Sequence, residues 1–192
     1  REHAIHAEAP VVFQSDALDV ACWRQLYFDA GPFDLIADWE WTGECRQRLR
    51  AGGQWTDISM PIHPVHPYFE PSITGDSGGR VWLAFADNNS GNWESPEQAL
   101  RILRKTATGD WEGADQGRET VALPMHPSLA LLADTAYVAV TTSDEQVGAD
   151  AKKKGRYTRH IEVFEVTWPA GGIQTWKSVL TTVNAIDGTG DT

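Results

Sequence analysis

A chain of 192 residues with 41% hydrophobic and 22% charged side chains has the balance of one globular domain, large enough to bury a core without metal or cross-link. Its net charge of −11 repels phosphate backbones and anionic lipid, which argues against nucleic acid or a membrane surface as partner. No apolar run approaches the roughly 20 residues that span a bilayer.

Strand-like segments follow one another along the chain. PVVFQSD begins at Pro10, LDVACWRQ covers 18–25 and DLIADWEWTG covers 34–43, and the Gly turn RAGGQW leads to Trp55. The same order returns in PSITGD from Pro71, GRVWLAFAD (79–87), LRILRKTA (100–107) and TATGDW to Trp111. It returns again in PSLALLAD from Pro127, TAYVAVTT (135–142), HIEVFEVTW (160–168) and PAGGIQTW to Trp176. Alternation at period two, with Val, Ile, Trp, Tyr and Phe, predicts strands throughout. Ala21, Ala84 and Ala139 align as the centres of the second strands. One helical turn is expected at SPEQAL (95–100), with Ser95 as N-cap and Pro96 at the first position. Cys22 and Cys45 stand either as a bridge or as two buried thiols.

The repeating unit is strand, tight turn, strand, long loop, strand, Gly turn and Trp-led strand, at a period of roughly 60 residues. It predicts an all-β protein built of β-propeller blades of four antiparallel strands, about three in this chain, with a β-sandwich as the alternative. A sandwich gives no reason for four features to recur in order. The expectation is one domain over 1–192 with repeats at 8–60, 68–122 and 124–182, the tail 183–192 reading as the start of a further blade. Nine Trp suit β-rich packing or a ligand-stacking surface.

The segments PSITGDSGGRVWLAFAD and PSLALLADTAYVAV, each followed by a Gly turn and Trp, resemble the sialidase-like (BNR, or Asp-box) propeller superfamily. The resemblance covers roughly residues 8–180, but the Asp-boxes are degenerate: RAGGQW and TATGDW are short, and PAGGIQTW lacks the Ser and Asp. The arginine triad and the Phe-Arg-Ile-Pro motif of sialidases have no counterpart here, so the resemblance implies the fold rather than sialidase activity. Members usually have six or more blades. This chain is therefore expected either to be part of a larger propeller or to need a second copy or another chain to complete the ring.

The resemblance also implies a ligand over the central channel, on the face of the long loops, which are the places where rigid scaffolds carry binding residues. Entry to the first strands brings Glu8, Glu70 and His126, each ahead of a proline. Glu70 and His126 are the candidates for general acid–base work on a sugar. His66, Tyr68, Asp87, Asn88, Trp93 and Arg159 are the candidates for ligand binding, Trp93 as a stacking platform. The expected ligand is carbohydrate, and the expected setting is extracellular or periplasmic. The function is glycoside hydrolysis or polysaccharide lysis, or glycan or protein binding without chemistry; the sequence leaves open whether the chain is an enzyme.

Other readings are plainer. His63 and His66 have ligand-like spacing, but the proline after each makes the segment extended, so no metal site is expected there. Asp87-Asn88-Asn89-Ser90-Gly91-Asn92 is reminiscent of a calcium loop but lacks its closing Glu, and no cofactor is expected beyond such an ion. Trp39 and Trp41 share one face of a strand, and Asp38 and Glu40 the other. GDSGG (75–79) is the sequence around a chymotrypsin-like nucleophile, yet too few residues precede Ser77 for that fold. It reads as the tight turn between a first and second strand.

Overall fold

The structure is a computed structural model that describes residues 3–29, 38–58, 71–88, 98–106, 108–113, 116, 118–120, 125–133, 135–143, 157–181 and 186–188. At several strand ends it describes the backbone alone. Among these residues there is no helix, and the protein is all-β. The first sheet holds β1 (His3–Gln14), β2 (Leu18–Asp29), β3 (Asp38–Leu49) and β4 (Thr56–Ile58), side by side in chain order. The second holds β5 (Ser72–Gly75), β6 (Val81–Asn88), β7 (Gln98–Lys105) and β8 (Arg118–Thr120) in the same order. The third holds β9 (Met125–Leu132), β10 (Thr135–Ser143), β11 (Tyr157–Thr167) and β12 (Thr175–Thr181); β13 (Ile186–Gly188) also pairs with β11. Every pairing is antiparallel.

The helical turn expected over 95–100 is not formed where it is described: Gln98, Ala99 and Leu100 open β7. Leu100 and Ile102 face the core at strand spacing, which outweighs the weak capping signal before them.

The three sheets pack in a row. Leu18, Val20, Cys22 and Cys45 of the first lie against Val81, Leu83, Phe85 and Leu103 of the second. Trp82, Ala84, Leu100 and Ile102, on the opposite face of the second sheet, lie against Leu129, Val138, Phe164, Val166 and Trp168 of the third. The middle strand β6 is therefore buried on both faces from Val81 to Ala86, which is why its run VWLAFA is continuously apolar. The alignment of Ala21 with Ala84 is out by one residue. Ala21 sits on the face of β2 turned away from the second sheet, and its neighbours Val20 and Cys22 take the packed places. A slip of one residue exchanges the two faces of a strand, and a small side chain favours neither.

Cys22 and Cys45 are directly opposite each other on β2 and β3 and form a disulfide. Gly75 ends β5 where a Cβ would run into the ring of Phe13, so its lack of a side chain lets the first strands of the first two sheets approach. The Trp residues of the Gly turns behave differently from one another. Trp111 is buried, Trp176 is half-buried edge-on to Phe164, and Trp55 is 42% exposed under Arg48.

Candidate functional site

The three sheets share one polarity. Near the ends of their third strands, Lys105 Nζ donates to Gln47 Oε1 at 2.8 Å between the first and second sheets. Arg104 donates from the end of β7 to the carbonyl oxygen of Trp168, just past β11, at 2.8 Å between the second and third. The tight turns after β1, β5 and β9 thus gather at one end of the row. The segments joining β2 to β3, β6 to β7 and β10 to β11 all leave from the other end, as the chain order of an antiparallel meander requires.

Two proline-linked irregularities recur in the first strands, one midway along β1 and one at the loop-bearing start of β9. Between Glu8 and Val11 of β1, and between Met125 and Ser128 of β9, the first strand carries one residue more than its partner. Each is a bulge built over Ala9-Pro10 or His126-Pro127, because proline has no N–H to give to the ladder. His126 takes the strain, with φ at +52°. A left-handed conformation is uncommon for a residue with a side chain, and a following proline disfavours helical backbone still further. Bulges re-aim side chains, and His126 is exposed at the mouth of the strand.

Of the candidate catalytic and ligand-binding residues, His126 is the one whose side chain is described. Asp87 and Asn88 end β6 opposite Ala99 and Gln98, and Arg159 lies in β11 opposite Ser143. Their backbones stand at the same end of the sheets as His126; their side chains lie outside the described residues. Glu70, His66, Tyr68 and Trp93 lie outside them altogether, as do His63, the segment Asn89–Asn92 and Lys152–Lys154. The side chains of Glu8, Asp38, Trp39, Glu40 and Trp41 are likewise outside. The sheet adds one residue that sequence reasoning missed. His160 follows Arg159 and stands opposite Thr142, which is buried. Its signal was its place at the head of the third strand, level with Arg159. Among the described residues no three His, Cys, Asp or Glu side chains gather closely enough to hold a metal ion.

The opposite end carries the GDSGG turn, and its carboxylate is structural. Asp76 Oδ1 accepts from the amides of Gly78 and Arg80 at 2.9 and 3.0 Å. Asp76 Oδ2 accepts from Arg80 Nε at 2.6 Å and from the indole of Trp82 at 2.8 Å. Burial pushes the Asp76 carboxyl up, but the bonds from Trp82 and Arg80 outweigh it and hold the group below the ordinary carboxylate range. Gly79, at φ +78°, closes the turn. Ser77 is exposed beside it, while His126 and His160 stand at the far end of the sheets. A nucleophilic serine needs an imidazole within hydrogen-bond reach.

Comparison of the chain with family models and with curated proteins finds no match.

Proposed function

We propose that this chain forms blades of a sialidase-like β-propeller that recognises carbohydrate at its loop-bearing end, with His126 and Glu70 as the acid–base pair of a glycoside hydrolase or polysaccharide lyase. Three four-stranded meanders in chain order, stacked face to face with one polarity, support the propeller over a sandwich. So does the succession of first strands: β1 neighbours β5, and β5 neighbours β9, as inner strands around one axis do.

The observation that carries the site is the backbone of His126. Strain of this kind costs on the order of 1–3 kcal/mol and persists where the surrounding structure enforces it, which in proteins clusters at ligand sites. The bulge stands at the same point of the repeat as Glu8 in the first unit, and Glu70 holds the matching place ahead of Pro71 in the second. An imidazole just ahead of Pro127 and a carboxylate just ahead of Pro71, matched in the repeat, would suit proton transfer at a glycosidic oxygen or at a carbon beside a carboxylate. The Cys22–Cys45 disulfide suits an oxidising compartment and supports an extracellular or periplasmic setting.

A panel of neutral and uronic polysaccharides tests the reading, with reducing ends and the absorbance of unsaturated products as readouts. Turnover that falls at least about 100-fold in both Glu70→Ala and His126→Ala is expected. Binding without turnover would make the chain a glycan-binding module, and indifference of both binding and turnover to the two substitutions would remove the site from this end.

A further inference from the structure

The second sheet is covered on both faces, whereas the first and the third are each covered on one by the described residues. The uncovered face of the third sheet follows from its register: Ala130, Tyr137, Ala139, Val163, Glu165 and Leu180 alternate with the residues packed on the second sheet. Leu180 is 53% exposed and Ala130 is exposed too. Small and branched apolar side chains flank the Tyr137–Glu165 pair on this face, with Lys177 opposite Glu165 in the ladder, the mixed composition of a contact between sheets that has a polar centre. The uncovered face of the first sheet carries Ala21, Trp23, Arg46 and Arg48, and Arg50 reaches onto it to bind Asp19.

The two contacts already formed show how one sheet addresses the next. Near the end of its third strand each gives a polar side chain, Gln47 or Arg104, to the end of the next sheet's third strand, at Lys105 or Trp168. In the third sheet the giving position is Glu165. It pairs across the ladder with Tyr137 as Arg104 pairs with Trp82, and the Tyr137 hydroxyl donates to Glu165 Oε2 at 3.1 Å. The receiving position in the first sheet is held by Arg48 and Arg50, whose side chains are 39% and 44% exposed. A carboxylate on the giving face thus matches two half-exposed guanidiniums on the receiving face, at the level where the existing contacts form.

We propose that the uncovered face of the third sheet docks onto the uncovered face of the first sheet of a second copy of this chain, setting Glu165 against Arg48 and Arg50. Two such contacts close a ring of six sheets from two chains and leave neither face open. The inference rests on the radial stacking proposed above and not on its ligand.

Sedimentation velocity of the 192-residue chain tests it. The expected species has twice the 21.2 kDa mass of one chain. Glu165→Arg and, separately, Ala139→Arg are each expected to raise the dissociation constant at least about 100-fold, since a like charge or a buried cation then faces the partner. Circular dichroism and an intact Cys22–Cys45 bridge show that each variant is folded, and Glu165→Gln, which keeps the shape, is expected to weaken the dimer about 10-fold. A 21.2 kDa wild-type monomer at about 100 µM overturns the proposal, as does a dimer indifferent to all three substitutions. A monomer that binds glycan overturns the docking and spares the site; a dimer that binds no glycan does the reverse.

Discussion

The guanidinium of Arg104 lies 4.0 Å from the ring centre of Trp168 and donates to that residue's carbonyl oxygen, joining the second sheet to the third. The side chain is 3% exposed and also donates through Nε to Glu112 Oε2 at 2.9 Å. Trp82 meets Trp168 edge-on at 5.7 Å, so the cation sits in an aromatic corner. Arg104→Ala removes the donor to the carbonyl of Trp168 and the stacking on its ring, while the exposed Glu112 is resolvated; a loss of about 3 kcal/mol is expected. Arg104→Lys keeps the charge but loses the planar fork and should cost about 2 kcal/mol. Urea unfolding followed by Trp fluorescence measures both, and two equal small losses would show that charge and stacking at this corner contribute little.

Asp76 holds the β5–β6 turn to Trp82. Asp76→Asn keeps the volume but weakens four acceptor bonds, and a loss of about 2–3 kcal/mol is expected. Ser77→Ala, one residue on and exposed, should change stability by less than about 0.5 kcal/mol and leave glycan binding intact. A loss of turnover in Ser77→Ala would return the serine to the chemistry.

Acid should unfold the protein through two carboxylates. Hydrogen bonds from Arg48 and then Arg50 hold the Asp19 carboxyl below its ordinary value of 3.8, and Asp76 is lowered likewise. Below about pH 4 the unfolded chain therefore binds protons that the folded chain still refuses, so stability rises with pH there. The contribution is full above 3.8 and is lost as pH falls through the lower folded values. Midpoints of urea unfolding between pH 5 and pH 2 are expected to fall, and to fall less steeply in Asp76→Asn; identical slopes would acquit Asp76.

The Cys22–Cys45 bridge joins residues 23 apart in sequence, inside the contact between the first and second sheets. Loop closure of that size predicts a loss of about 3 kcal/mol in the Cys22→Ala/Cys45→Ala double variant, with the fold retained. Thermal unfolding of the two forms side by side measures it. An unchanged midpoint would mean that the buried pair contributes as packing alone.

Substitution of His126 distinguishes the proposed binding role from a structural one. Glycine accepts a φ of +52° at no steric cost, so relief of strain in His126→Gly offsets what its side-chain contacts contribute; a stability change of less than about 1 kcal/mol is expected, with glycan binding lost. A destabilised His126→Gly would mean that the imidazole is a structural anchor.

The strands were legible because apolar alternation is a local signal. Pro10, Pro71 and Pro127 marked the first strands, and the bulges now explain two of them: the ladder skips where proline has no donor. The length of β3 was not legible, since its second half, ECRQRL, alternates polar residues with Cys45 and Leu49 in a way that reads as a solvated loop. Nor was the role of Arg104 and Lys105 legible. LRILRK looks like a strand that ends in water, and what buries both cations is a neighbouring sheet, with residues some 60 positions away in the chain. GDSGG was readable as a turn, yet the grip of Asp76 on the Trp82 indole depends on the hairpin having formed. Of the candidate site, the strand-end placement of Asp87, Asn88, His126 and Arg159 was legible from the repeat, whereas the strained backbone of His126 depends on tertiary pairing and leaves no trace in composition.

The proposed carbohydrate site lies at the end of the sheets where His126 sits. NMR spectra of the isotope-labelled chain, titrated with the best ligand of the polysaccharide panel, test that placement directly. Shifts are expected in the His126 imidazole and in the amides of Asn88 and Arg159, with the amides of Ser77 and Gly78 unmoved. Shifts centred on Ser77–Arg80, or none with any glycan, would contradict it.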